Sequence, residues 1–394
     1  MPSNQRFRIF AALGLAAVTA ITVVPQDAGA NAPARHRHED RHGHKHKHKH
    51  KHQHKHKHHH HHRPPAQHVA SSTTTRPSEV MTPPPTPPST MAVPTTTTTT
   101  RPTPPPTPPP PPIKVPPSGT CLGQTPLTTV LGRQSGQYDP DISGHLAVDA
   151  RTAGWPAVDD WPVSLTGSGS VCWSGGAIAG AWSNSTPWET FHHTGGFSFA
   201  NPNAVVENVS VYNYGDAINA REGATNWTVR GAHTSFIHDD CLQNDYLGSG
   251  VVEDSLFDGC YVGVSTRPSS SNSRSDGRNN TVEMRDSLLW LQPMPTVYKG
   301  PAPGTGGFFK WDDTGRSPKL SLHGNVFRAD QTPNHGSLGL PSGYSVSCSD
   351  NTIVWLGPGT FPEAASWLSR CPDTRIVTSK STWTAAVAAW TAAH

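Results

Sequence analysis

Six short segments between Val205 and Ile353 repeat one alternation of apolar and polar positions around a turn residue. They read VENVSV (206–211), VRGAHT (229–234), VEDSLF (252–257), MRDSLL (284–289), LHGNVF (322–327) and CSDNTI (348–353). Asn, Asp or Gly stands third in each segment, and the first two intervals between these positions are 23 residues. Such a period, with strand-like alternation on both sides of the turn, predicts a solenoid of parallel strands whose coils bury their inner faces against one another.

A second strand follows the turn in four coils, over residues 216–219, 240–243, 262–265 and 307–310. Aligning these segments predicts an interior column made of Ile218, Leu242, Val264 and Phe309. The adjoining row contains Asn219, Gln243, Ser265 and Lys310. Two residues further the row reads Arg221, Asp245, Arg267 and Asp312, and we interpret Arg221 and Asp245 as part of a surface ion-pair ladder.

These patterns predict an all-β fold over residues 119–394, which are enough for one elongated domain with a substantial core. Helical periodicity appears only at residues 383–394, where we expect a short terminal helix.

The first 30 residues predict a secretory signal peptide. Arg6 and Arg8 precede an apolar run over residues 10–24, and Ala28-Gly29-Ala30 is a small-residue cleavage pattern. The run is short for a membrane helix and nothing later is apolar enough to span a bilayer, so we expect no transmembrane segment. The protein is therefore expected to be secreted, either extracellular or associated with the cell wall, where its cysteines meet an oxidising environment.

Two low-complexity segments follow. Residues 31–70 form a His/Lys-rich tail predicted to be disordered, with 15 His and 6 Lys between residues 36 and 62. Such a tail is able to bind a transition metal or an anionic cell-wall surface, and the alternative is a solvated tail without a specific ligand. Residues 71–118 hold 18 Pro and 14 Thr, which predicts a stiff, extended linker.

Charge divides at the end of this linker. Residues 1–118 contain 15 Lys and Arg against 4 Asp and Glu, whereas residues 119–394 contain 16 against 24. The acidic balance of the predicted domain argues against nucleic acid as its partner.

All six cysteines fall in the predicted domain, and an oxidising environment favours disulfides. We expect a bond between Cys121 and Cys172 at the N-terminal cap and a bond between Cys348 and Cys371 at the C-terminal end. The state of Cys241 and Cys260 stays open, because their register positions differ by about three residues.

Asp216, Asp239 and Asp240 are the candidate catalytic residues. The register places Asp216 and Asp240 at the same position of consecutive coils, so we predict that their carboxyls lie side by side and face water. Like charges this close raise at least one pKa, which keeps one carboxyl protonated as an acid while another stays ionised. His238 is positioned to share the proton. The alternative is that these aspartates cap turns.

Two chemistries and a non-catalytic role suit such a cluster. A carboxyl pair cleaves glycosides without a cofactor, whereas three carboxylates also suit Ca²⁺, which would acidify a uronate for elimination by a polysaccharide lyase. In the lyase, Lys310 or Arg267 would abstract the proton. The third hypothesis is a wall-associated solenoid that binds glycans without cleaving them.

The chain resembles a known superfamily. The repeat over about residues 171–356 is similar to the pectin-lyase-like right-handed parallel β-helix proteins, which implies a single-stranded β-helix of that hand. HDDCL (238–242) resembles the Asp-Asp-Cys stretch of the polygalacturonase-type glycoside hydrolases, and GDAI (215–218) resembles their acidic segment one coil earlier. The resemblance implies that one aspartate is the general acid and that the other two position and activate water, with inversion at the anomeric carbon.

The chain also departs from that family. Tyr214-Gly215 stands where the family has Asn-Thr, Val262-Gly263 stands where it has His-Gly, and no Arg-x-Lys triplet follows. These departures favour a relative that acts on another polysaccharide.

Further residues are candidates for binding that polysaccharide. Lys310 and Arg267 lie on the same predicted face as the aspartates and are positioned to hold a substrate carboxylate, and His193 falls about one coil earlier. The insertions at residues 268–278 and 292–306 are expected to form the walls of a cleft. Candidates for stacking on sugar rings are Trp290, Tyr298 and Trp311.

Overall fold

The computed structural model describes residues 121–156, 160–268, 272 and 274–394. Its helices are α1 (Cys121–Gln124), α2 (Trp188–Phe191), α3 (Ala364–Arg370) and α4 (Lys380–Ala393). Its strands are β1 (Thr129–Val130), β2 (His145–Asp149), β3 (Gly154–Pro156), β4 (Val163–Leu165), β5 (Ser170–Ser174), β6 (Ala177–Ala179), β7 (Gly195–Phe199), β8 (Val205–Glu207), β9 (Ser210–Tyr212), β10 (Asp216–Ala220), β11 (Trp227–Arg230), β12 (His233–Gln243), β13 (Gly250–Glu253), β14 (Leu256–Thr266), β15 (Thr281–Arg285), β16 (Leu288–Leu291), β17 (Phe309–Trp311), β18 (Lys319–His323), β19 (Val326–Ala329), β20 (Val346–Ser349), β21 (Thr352–Trp355) and β22 (Arg375–Val377).

The strands form two large parallel sheets. One has the order β1-β2-β5-β8-β11-β13-β15-β18-β20, and the other has the order β22-β21-β19-β16-β14-β12-β10-β7-β4 with further strands joined at its side. From β2 onward, successive neighbours in the first sheet are separated in sequence by strands of the second, as a chain that winds coil upon coil requires. The prediction of a mostly β fold with parallel sheets is confirmed, and the arrangement is consistent with a β-solenoid.

The repeated turn residue has a conformational cause. Its φ is positive in all six segments: 56° at Asn208, 60° at Gly231, 46° at Asp254, 50° at Asp286, 69° at Gly324 and 57° at Asp350. Gly, Asn and Asp enter this left-handed region at the lowest cost, which explains why these residue types recur there. The predicted structural role of these positions is confirmed.

The register on both sides of the turn follows the repeat. Before it, Val206, Val229, Val252, Met284, Leu322 and Cys348 are paired in succession. After it, the same holds for Val211, Thr234, Phe257, Leu289, Phe327 and Ile353. The column of Ile218, Leu242, Val264 and Phe309 is also present, with every side chain buried.

A polar ladder that the sequence reasoning missed runs through the interior directly after the turn residue. Ser287 N donates to Asn325 Oδ1 at 3.1 Å, and Asn325 N donates to Asn351 Oδ1 at the same distance. Ser255 N donates to Ser287 Oγ at 3.1 Å. These side chains are fully buried, so the ladder satisfies backbone amides that the turn takes out of the strand pairing.

Three disulfides fasten the coils. Cys121 is bonded to Cys172 and Cys348 to Cys371, which are the pairings expected from the sequence. Cys241 and Cys260, whose state was left open, are also bonded, with their Cα atoms 5.6 Å apart. The register between β12 and β14 shifts between Ile237 and Asp240. A bulge of this kind bends the strand, which brings together cysteines that would lie far apart on a straight strand.

The expected terminal helix is α4. Trp383 is buried in a small apolar cluster with Leu256, Leu288 and Val354, so the helix covers apolar side chains of the second sheet. None of the helices in the described part of the chain is long and apolar enough to cross a membrane. The predicted signal peptide (1–30), His/Lys-rich tail (31–70) and Pro/Thr-rich linker (71–118) lie outside the described residues.

Candidate functional site

A cleft of about 620 Å³ opens over the C-terminal halves of β12 and β14 and over β17. Its charged lining residues are Glu189, Asp239, Asp245, Arg267 and Lys310. Its ring-bearing lining residues are Trp188, His192, Tyr261, Tyr298, Phe309, Trp311 and His335. The cleft therefore combines acids, cations and aromatic surfaces, the mixture typical of sites for polar ligands with flat apolar faces.

The three candidate aspartates converge at one side of this cleft. One carboxylate oxygen from each of Asp216, Asp239 and Asp240 lies within 4.8 Å of the others. The pairing of Ile218 with Leu242 stacks β10 on β12, and Asp240 N donates to Asp216 Oδ1 at 3.2 Å. The predicted neighbourhood of residues 216 and 240 is thus present.

Lys310 supplies the positive charge of the cluster. Its Nζ lies 3.1 Å from Asp240 Oδ2 and 3.7 Å from Asp239 Oδ1. Lys310 lies on β17, two strands away from Asp239 and Asp240 of β12, and the successive pairing of Gln243, Ser265 and Lys310 fixes this position. Gln243 Nε2 also donates to Asp240 Oδ2, at 3.5 Å. Asp240 is therefore held by two cleft-lining residues.

The exposure of the aspartates differs from the expectation. Asp216 and Asp240 were predicted to face water, but both are buried, with 2% and 0% of their surface exposed. Asp239 is also largely buried, yet it is the member of the trio that lines the cleft. The prediction overlooked strand alternation: Asp216 lies two residues before the core residue Ile218, and Asp240 lies two residues before Leu242, so each shares the inward face of its strand.

Burial sets the protonation of the cluster. It raises the pKa of Asp239 to about 7, and the carboxyl of Asp240 adds to the rise while Lys310 opposes it. Burial also raises the pKa of Asp216 well above its ordinary value, again with help from the other two aspartates. Burial alone would lower the pKa of Lys310, but the aspartates outweigh it and raise that pKa above the ordinary value. The cluster is therefore able to hold a proton on a carboxyl near neutral pH, beside a lysine that stays protonated.

The two histidines proposed from the sequence lie away from the reacting face. His238 is fully buried, stacks on Phe191 with ring centroids 3.6 Å apart, and bonds through Nε2 to Asn213 Oδ1 at 2.9 Å. Burial lowers its pKa to about 3, so it stays neutral and does not share a proton with the aspartates at ordinary pH. His193 is exposed, and its neighbour His192 lines the cleft instead.

The aromatic wall comes from two places. Trp188 of α2 stacks on His192 with ring centroids 4.3 Å apart, and Tyr298 approaches Trp188 at 4.7 Å. Tyr298 belongs to the insertion at residues 292–306, which confirms that this insertion borders the cleft. Trp311 also lines the cleft, whereas Trp290 packs elsewhere, under the guanidinium of Arg328.

Asp245 has a different position from the one proposed. We interpreted Arg221 and Asp245 as an ion-pair ladder, but the Arg221 guanidinium lies over the Trp161 ring, 4.9 Å from its centroid. Asp245 lines the cleft, and burial together with Asp240 raises its pKa to about 7. Arg267 is exposed at the same cleft, as expected for a residue that contacts substrate.

The trio has the donor chemistry of a Ca²⁺ site, since three carboxylates converge within 4.8 Å. However, the Lys310 ammonium stands at 3.1 Å from one of them and 3.7 Å from another, where a cation would bind. Asp216 Oδ1 is also engaged by the amide of Asp240. The lysine therefore supplies positive charge at the place where a calcium ion would bind, and the residues fit a proton-transfer site better than a calcium site.

Comparisons with protein-family models, with curated proteins and with solved structures found no match to this chain.

Proposed function

We propose that the protein is a secreted glycoside hydrolase that cleaves a polysaccharide in the cleft beside β12. We include in this proposal the right-handed winding and the relation to the pectin-lyase-like superfamily that the sequence resemblance implies. The observation that carries it is the convergence of Asp216, Asp239 and Asp240 with Lys310 at an aromatic-walled cleft.

Asp239 is the general acid in this proposal. It lines the cleft, and its raised pKa of about 7 keeps it protonated in mildly acidic solution. An acid of this strength is suited to donate a proton to a glycosidic oxygen near neutral pH.

Asp240 is the general base, and its Oδ2 lies 3.1 Å from Lys310 Nζ. Water attacks the anomeric carbon and gives a proton to Asp240 while the bond to the leaving oxygen breaks. The leaving oxygen takes its proton from Asp239. One water is consumed, each new chain end carries a hydroxyl, and proton exchange with solvent restores both aspartates.

The spacing of the carboxyls bears on stereochemistry. A separation within 4.8 Å is shorter than the roughly 6.5–9.5 Å usual for inverting enzymes, and is nearer to the spacing of retaining ones. We assign inversion because Asp240 is buried: a nucleophile must touch the anomeric carbon, whereas a base acts through water. Proton NMR of the first product formed distinguishes the two anomers, and a retained anomer would refute this assignment.

A calcium-dependent lyase is the second candidate, favoured by the three converging carboxylates. Lys310 argues against it as the base, because its ion pairs raise its pKa and keep it protonated. An unsaturated product that absorbs in the ultraviolet and disappears with a chelator would identify elimination.

The deciding experiment measures new reducing ends released from plant, algal and microbial polysaccharides, with and without Ca²⁺. We expect cleavage of one class without added metal. Asp239→Asn should lower kcat by about 10²–10⁴-fold. Asp373→Asn, which removes an exposed carboxyl that does not line the cleft, serves as the control. Equal turnover by the two variants would refute the proposal.

A further inference from the structure

Two carboxyls that line the cleft, those of Glu189 and Asp245, are not used by the proposed reaction, and Asp245 is the one that lies beside the aspartate cluster. Asp245 lies just beyond the C-terminal end of β12 and lines the cleft together with Asp239, Gln243 and Lys310. Its side chain is half-buried. Within the described residues the Asp245 carboxyl is in no hydrogen bond or ion pair, whereas Asp239 and Asp240 are both paired with Lys310.

An unpaired carboxyl in a partly desolvated cleft is costly unless a ligand completes its hydrogen bonding. An ionised carboxylate only accepts hydrogen bonds, so the completing group must be a donor. The backbone oxygen of Asp245 is already engaged by the Asn272 side chain, which holds this end of the strand in place. The carboxyl is therefore a fixed acceptor presented to the bound ligand.

Arg267 is the counterpart of Asp245. It is exposed at the same cleft, is in no ion pair within the described part of the chain, and has a guanidinium that only donates. A uronate would be attracted by Arg267 but repelled by Asp245, and a cationic amino sugar would meet the opposite conflict. A neutral sugar satisfies both groups, because each hydroxyl is able to donate to the carboxylate and accept from the guanidinium.

We propose that Asp245 and Arg267 together select a neutral, hydroxyl-rich sugar in the cleft, which makes Asp245 a specificity-determining residue. The inference rests on the proposed function in one respect, that the cleft binds a polysaccharide. It narrows the substrate class to polymers with an uncharged sugar at this subsite, and it replaces the expectation that Arg267 holds a substrate carboxylate.

The test measures equilibrium binding of the full chain with its acid silenced by Asp239→Asn, so that no ligand is consumed. The probes are neutral polysaccharides (galactan, arabinan, mannan, xylan and β-glucan), chitosan, polygalacturonate and alginate. Because burial raises the pKa of Asp245 to about 7, binding is measured at about pH 8.5, where the carboxyl is ionised. We expect the tightest ligand to be neutral.

In this background, Asp245→Ala should weaken binding of that neutral ligand by about 10- to 100-fold, as loss of hydrogen bonds to a charged group does. Asp245→Asn should strengthen binding of polygalacturonate by about threefold or more, since a like charge is removed. The control Asp373→Asn should change neither affinity beyond about twofold.

Four results would overturn the inference: tightest binding to a uronate polymer, tightest binding to chitosan, an Asp245→Ala effect no larger than the control, or no binding of any probe. Hydrolysis by the unmodified chain is scored separately. A neutral polymer that is bound through Asp245 but never cleaved refutes the proposed hydrolase and leaves this inference intact.

Discussion

Replacing Lys310 by Met tests whether one lysine stabilises the buried aspartate cluster. Nζ lies 3.1 Å from Asp240 Oδ2 and 3.7 Å from Asp239 Oδ1, and 26% of the lysine side chain is exposed. At an effective dielectric constant of about 20, each of these contacts is a gross attraction of about 5 kcal/mol. Much of this attraction only offsets the desolvation cost of burying the charges. Loss of the lysine should therefore lower the free energy of unfolding by about 3–5 kcal/mol at about pH 8.

The loss should depend on pH in a defined direction. Burial raises the folded-state pKa of Asp239 to about 7, above the unfolded value of about 3.9, so its contribution to stability declines as pH rises through this window. Without Lys310 that pKa rises further, so the decline extends to higher pH and its total size grows. At about pH 4.5 the raised pKa values of Asp216 and Asp239 leave both carboxyls protonated, and the difference between variant and parent should shrink to roughly 1–2 kcal/mol. Lys310 itself stays protonated throughout, because its pKa is raised.

Denaturant unfolding followed by tryptophan fluorescence at several pH values measures both quantities. Lys319→Met is the matched control, because Lys319 is exposed at the start of β18 and is in no ion pair within the described residues. A Lys310→Met effect that equals the control, or one that is the same at about pH 4.5 and 8, would contradict the assignment of a buried charge cluster.

Three further predictions concern the acid, the cleft wall and the terminal disulfide. If Asp239 is the general acid, kcat should fall as pH rises through about 7, and a profile that stays flat to about pH 9 would exclude that role. Trp188→Ala should raise KM by about tenfold with little change in kcat, because the indole ring stacks on the sugar but takes no part in the reaction. Steady-state kinetics measures both constants, and a loss confined to kcat would contradict this role. Replacing Cys348 and Cys371 by Ser should lower the free energy of unfolding by about 2–4 kcal/mol in denaturant titrations, and an unchanged midpoint would show that the bond does not stabilise the last coil.

The regular part of the fold was predictable because one backbone requirement recurs. The residue that ends the first strand of each coil must adopt a positive φ, and only a few residue types do so at low energetic cost. Asn208, Gly231 and Asp254 therefore marked the register at a constant spacing, and the pairing of Val206, Val229 and the later positions followed.

Two details failed for different reasons. The prediction that residues 216 and 240 face water overlooked strand alternation, because each lies two residues before a core residue and therefore shares its inward face. The bulge in β12 breaks the alternation between Ile237 and Asp240 and bends the strand. The same bend explains why the Cys241–Cys260 bond was left open.

The cleft walls were harder to predict because they lie outside the repeat. Trp188 begins α2, a four-residue helix, and His192 directly follows it; no periodic signal connects this segment with β12. Tyr298 was proposed as an aromatic residue able to stack on a sugar ring, and it falls within the insertion at residues 292–306. The position of Asp245 in the repeat was interpreted wrongly, because a charged residue at that position is compatible with a surface ion pair as well as with a cleft.

The position of Lys310 shows how the solenoid assembles a site from distant sequence. Asp240 and Lys310 are 70 residues apart, and the insertion at residues 292–306 lies between them. They meet because β17 resumes the register of β14, with Phe309 on Val264 and Lys310 on Ser265. A slip of one residue would turn Lys310 to the opposite face and leave the aspartates without a cation. The buried column therefore does more than stabilise the coil: by fixing Phe309 in the core, it places the lysine that makes three converging carboxyls tolerable.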